Sequence, residues 1–132
     1  MVLALQRATH RTLHALSAAL ADLNLSAAEI NALANLGEGG TLSVRQLSER
    51  AGTRASTLTG LLDRLENRGY VTRELDPADR RSFRLPLTEA GQAAATRVRT
   101  AIADLEHDAL SRLSATQIAG YHAVLTALQE AC

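Results

Sequence analysis

A chain of 132 residues with 46% hydrophobic and 21% charged side chains is long enough for one self-supporting core, too short for two ordinary domains, and unlike a disordered segment in composition. Its 14 cations, all arginine, balance 14 acids, yet residues 41–85 hold nine Arg against six acids, so the middle is positive and the flanks negative, as in a polarised polyanion binder. The single cysteine, Cys132, excludes a disulfide framework and fits a reducing cytosol; no apolar run reaches the length of a membrane span and no secretory leader opens the chain, so a cytoplasmic protein is expected.

The only aromatics are Tyr70, Phe83 and Tyr121, which leaves the core to Leu and Ala and predicts a mostly helical protein. From Val2 to about Asp22, Leu13, Leu16, Leu20 and Leu23 recur at helical spacing. Ser26-Ala27-Ala28-Glu29 is a capping box that starts a second helix at Ala27, ending at the Gly37-Glu38-Gly39-Gly40 turn. Ser43-Val44-Arg45-Gln46 opens a short third helix that stops at Ala51-Gly52, and Thr53 is placed to cap a fourth, which carries Leu58, Leu61, Leu62 and Leu65 up to Gly69. Tyr70–Leu75 reads as a strand, Asp76–Asp79 as a turn and Ser82–Leu85 as the returning strand, with Pro86 at its end. Thr88 caps a long fifth helix bearing Val98, Ile102, Leu105 and Ala109, and Ser114 starts a sixth with Ile118, Tyr121, Leu125 and Leu128 on one stripe. The order is that of a winged helix-turn-helix: a mainly α fold with a small β-hairpin wing. The chain divides into a winged region at 26–87 within a single domain 1–132, flanked by a helical dimerisation region at 1–23 and 88–131.

Stepping 100° per residue around the fourth helix from Leu58 collects Leu61, Leu62 and Leu65 on one side and puts Ser56, Gly60, Asp63 and Asn67 opposite, with Thr57, Thr59 and Arg64 on the flanks. A glycine inside a helix costs about 1 kcal/mol relative to Ala, and on an outward face close approach to another surface, such as a major-groove floor, would explain Gly60. Ser56, Thr57 and Thr59 can bond base edges or phosphates, and Arg54 can reach guanine O6 and N7. Arg80 and Arg81 lie at the hairpin tip, where guanidinium groups can enter a narrow minor groove or hold phosphates, and Asp79 is near enough to pair with one of them. An ordinary amphipathic helix or a solvated turn accounts for either feature alone; together they point to duplex DNA.

The runs Leu42–Gly52 and Ser56–Val71, then Arg73, Asp76-Pro77-Ala78-Asp79-Arg80-Arg81-Ser82 and Leu87-Thr88-Glu89-Ala90-Gly91, resemble the MarR (multiple antibiotic resistance regulator) family. The resemblance covers about residues 26–91. It implies a homodimer interlocked through the first and last two helices, and a pseudo-palindromic operator, usually under repression and released by a small ligand or oxidant. It also implies that Arg81 enters the minor groove with Asp79 in support. The residues expected to meet DNA are Arg45, Arg54, Ser56, Thr57, Thr59, Gly60, Arg64, Arg80 and Arg81. The family's effector pocket lies between the first, second and fifth helices; here Leu and Ala would line it, with Arg11 or His14 facing an anionic or phenolic ligand. Two features depart from the family pattern: the first helix begins almost at once, and aromatics are scarce.

His10 and His14 share a helix face and could ligate a metal with His107, Asp104, Glu106 or Asp108, but that spacing is equally that of surface or interface histidines. Cys132 has no basic neighbours to activate it. No metal or cofactor is therefore expected, and a metal- or redox-responsive sensor or a constitutive DNA-binding regulator are the alternatives to a ligand-released one. No Gly-x-Ser-x-Gly motif, paired zinc-ligand motif or acid pair in an apolar context suggests an enzyme.

Overall fold

A computed structural model describes residues Met1–Cys132. Six helices and one hairpin follow in the order α1 (Val2–Ala19), α2 (Ala27–Leu36), α3 (Val44–Ala51), α4 (Ala55–Asn67), β1 (Glu74–Leu75), β2 (Phe83–Arg84), α5 (Glu89–Leu110) and α6 (Ala115–Ala131), with a 3-10 turn at Ala21–Leu23 between α1 and α2. Residues Met1–Ile102 form one compact unit and Ala103–Cys132 a second.

The local signals act where they stand. Ser26, Ser43 and Ser114 each accept a bond from the amide three residues on, while Glu29, Gln46 and Gln117 return a side-chain acceptor to the capping residue's amide, so two orphan donors are satisfied at each helix start. Gly52 ends α3 in the left-handed conformation (φ 63°), which a side chain would resist. Thr88 caps α5 by accepting from the Gly91 amide at 3.0 Å.

The core of the first unit is aliphatic. Leu33, Leu47, Leu58, Leu65 and Val98 are wholly buried, joined by Ile30, Leu61, Leu62, Val71 and Leu85. Helix α2 stands at its centre, touching α1, α3 and α4. These Leu-rich stripes put the four anticipated aliphatic positions of α4 inward and its polar side outward, which sets up the site.

Two expectations need correction. Arg54, not Thr53, is the residue before the first turn of α4, and it offers no side-chain cap; the Thr53 hydroxyl turns back to the Ala51 carbonyl and its own carbonyl accepts from Ser48. The wing is shorter than Tyr70–Leu75 paired with Ser82–Leu85, because the regular ladder holds only Glu74 opposite Arg84 and Leu75 opposite Phe83. Thr72 donates to the Pro86 carbonyl at 3.1 Å, but proline has no N–H to return, so the ladder breaks and resumes as a lone Val71–Leu87 bridge. The Leu85 amide, on the other edge, donates to the Leu42 carbonyl at 2.9 Å, and Ser43 bridges Arg84. The segment before α3 thus braces the wing as a third strand, which the sequence reading missed.

Candidate nucleic-acid interface

The exposed side of α4 carries Ser56, Thr57, Thr59, Asp63, Arg64 and Asn67, against buried Leu58, Leu61, Leu62 and Leu65. Thr59 donates its hydroxyl to the Ala55 carbonyl. Gly60 is half-buried, and a Cβ built there would meet only Arg64 Nη1, at 3.7 Å. Nothing inside the chain therefore demands a glycine at this position.

At the wing tip, two aspartates fold the backbone. Asp76 Oδ1 accepts from the Ala78 amide at 2.9 Å and Asp79 Oδ1 from the Arg81 amide at 3.0 Å; the Asp79 and Ser82 amides close the turn onto the Asp76 and Asp79 carbonyls. Each is a side-chain-to-backbone bond two residues on, the feature that makes Asp a turn residue. Asp79 therefore holds the main chain of Arg81 and does not form the side-chain ion pair with Arg80 or Arg81 anticipated above. Both guanidinium groups are exposed and have no partner in the chain, as are those of Arg54 and Arg64. Arg45 differs: its Nε lies 3.2 Å from Glu49 Oε1, in an exposed pair of the kind that contributes little and is readily exchanged.

The wing is tied to α4 at its base. Arg73 is ion-paired with Asp63 and, through Nε, lies 3.2 Å from Glu66 Oε1. Asp63 and Glu66 stand one turn apart on α4, so a single guanidinium on the wing reaches both; their i, i+3 spacing puts the two acids on one face of the helix but leaves the cation that meets them unspecified. Between α3 and the wing lies a groove of about 550 Å³, bounded by Val44, Arg45 and Ser48 on one side and Arg81, Ser82 and Phe83 on the other.

The remaining candidates stay apart from this face. Arg11 and His14 are exposed on α1 and make no hydrogen bond or ion pair in the chain. No three His, Cys, Asp or Glu side chains gather as a metal site, Cys132 is exposed, and no helix is long and apolar enough to cross a membrane.

Residues 22–82 match the family model described as MarR family. That segment carries the MarR-family sequence. Of its curated MarR-type relatives, the uncharacterized HTH-type transcriptional regulator YfiV of Bacillus subtilis (strain 168) is 43% identical over 67 residues, 51% of this chain and 42% of that protein; the chain spans less than half the length of the first such relatives. Among solved structures, CouR from Rhodococcus jostii RHA1 bound to p-coumaroyl-CoA is 26% identical over 94% of this chain and 87% of its own, with a TM-score of 0.83. MepR of S. aureus in its DNA-binding conformation shares the fold at a TM-score of 0.89 and 18% identity, over 98% of this chain and 96% of its own. These MarR relatives are transcriptional regulators, and the helices with a two-stranded wing are the MarR winged-helix fold.

Proposed function

We propose that this protein is a homodimeric, sequence-specific DNA-binding repressor of the cytoplasm that holds a pseudo-palindromic operator and is released by a small molecule. The observation that carries this reading is the division of labour at the wing tip: Asp76 and Asp79 spend their carboxylates on the backbone, which leaves the Arg80 and Arg81 guanidinium groups free for an external anion. Helix α4 adds an exposed row of hydroxyls and Arg64, an uncapped N-terminus of the sort that receives phosphates, and Gly60, where a base-pair edge can come close. Arg45 lies across the groove from Arg81, with Glu49 and Asp79 also in its lining, so a phosphodiester strand entering there would take Arg45 from its exposed pair with Glu49 and meet the unpaired Arg81 opposite. Two copies related by a two-fold axis would set their recognition helices about 34 Å apart, one turn of duplex.

The experiment is selection of bound duplexes from a random pool, followed by fluorescence anisotropy across a salt series. A defined inverted repeat is the expected product. Arg81→Ala should weaken binding to it and flatten the dependence of log K on log salt by about one phosphate equivalent per protomer. Unchanged affinity would remove the wing from the mechanism.

CouR, whose structure holds p-coumaroyl-CoA, supports an anionic aromatic effector here, with Arg11 or His14 as its polar partner. Thermal-shift screening against phenolic acids and their thioesters tests this: a specific stabiliser that also dissociates the duplex supports release by ligand. If no compound does so, the constitutive reading stands.

A further inference from the structure

The 3-10 turn Ala21–Leu23 and the residue after it are gripped from two sides. Arg68, immediately after the last turn of α4, commits its whole guanidinium: Nε lies 2.8 Å from Glu29 Oε2, Nη1 donates to the Leu23 carbonyl at 3.0 Å, and Nη2 donates to the Asn24 carbonyl. Arg97 of α5 meets Asp22 in a two-pronged pair, both N–O distances 2.9 Å. Asn24 holds a left-handed backbone (φ 49°) between these two grips. Glu29 is the one buried charged residue of the chain, at 3% exposure, and its other oxygen accepts from the Ser26 amide at 3.2 Å.

None of these groups lies on the DNA-facing side described above, and each nitrogen of Arg68 already has a partner inside the chain. Their chemistry is that of a joint. A planar guanidinium with donors in a fixed fork sets angle as well as distance, and here two forks from different helices meet on one short turn. Helix α4, with 13 residues, is about 20 Å long at about 1.5 Å per residue, so a tilt of about 10° at its Arg68 end would displace its Arg54 end by about 3.5 Å.

We propose that Arg68 and Arg97 are positioning residues for operator binding: by clamping the α1–α2 turn from α4 and from α5, they fix the angle at which the recognition helix stands on the long helix. The inference rests on the DNA-binding reading and adds to it the residues that would set half-site spacing. A duplex carrying two half-sites senses that angle through both protomers, whereas a single half-site senses only the face of one helix.

The test compares affinity for the selected two-half-site duplex with that for a duplex keeping one half-site, using the full chain. Arg97→Asp should lower two-half-site affinity about fivefold, the scale of one exposed ion pair, and leave single-half-site affinity and Tm nearly unchanged. The exchanged pair Asp22→Arg with Arg97→Asp should restore most of the loss. Glu29→Gln with Arg68→Gln, which removes the buried charge along with its partner, should act in the same direction. If the variants bind both duplexes as the wild type does, or lose both affinities equally, the proposal is overturned; so it is if the exchanged pair fails to recover or the wild type does not prefer two half-sites. A wild type that selects no duplex at all refutes the DNA-binding reading itself, a distinct result.

Discussion

Gly60 and Gly91 look alike in the sequence, each a glycine among helix formers, and the structure separates them. A Cβ on Gly60 meets ordinary space, whereas a Cβ on Gly91 would lie 1.9 Å from the Tyr70 carbonyl oxygen, the same oxygen that accepts from the Thr88 amide. Gly60→Ala should therefore stabilise the fold by about 1 kcal/mol through helix propensity while weakening duplex binding, because the added methyl stands where a base edge approaches. Gly91→Ala should destabilise by about 2 kcal/mol or more, since backbone must move to admit it. Thermal unfolding and anisotropy on the same preparations check both, and a Gly60→Ala protein that binds as the wild type does removes the close-approach argument. The place of Gly60 was legible because it follows from helical periodicity. The constraint on Gly91 was not, because it comes from a carbonyl some twenty residues away that no local pattern announces.

The same contrast holds for whole elements. Helix starts at Ser26, Ser43 and Ser114 could be read from four-residue windows, because a capping box is closed within its own turn. The start of α4 could not: the Thr53 side chain had a nearer partner in Ala51, and the competition between local hydrogen bonds is decided by geometry. The wing's third strand and its break at Pro86 depend on non-local pairing, and the Arg73 strut joins two elements that only the fold brings together. That strut carries a prediction. Arg73→Ala leaves Asp63 and Glu66 without their cation on the helix that faces DNA, so thermal stability should fall by about 1 kcal/mol, and single-half-site affinity should fall as well through repulsion of phosphates. Adding Asp63→Asn to Arg73→Ala should recover part of that affinity. Half-site binding insensitive to either change would mean the strut holds the wing without bearing on DNA.

At the scale of the whole molecule, the chain leaves apolar surface that its own core does not use. No residue of α6 is buried; Tyr121 is 52% and Leu113 44% exposed, and at the other terminus Val2 and Leu3 are also open. Of the α6 stripe, Ile118, Leu125 and Leu128 are only half-buried and Tyr121 is exposed, so this apolar side is left incompletely covered, and formal neutrality removes any net repulsion between copies. A two-fold dimer satisfies both conditions and supplies the two recognition helices that an inverted repeat requires. Sedimentation should then give a particle of twice 14.1 kDa. Placing charges on this apolar surface with Tyr121→Arg on α6 and Leu113→Arg in the turn before it should shift it toward the single-chain mass, because an unpaired charge in an apolar interface has no compensating partner. The same variant should still meet one half-site through α4 and the wing, which lie in the other compact unit, but lose the gain from the second. A wild type that sediments at 14.1 kDa, or a variant that stays paired, would place the dimer contact elsewhere or remove it.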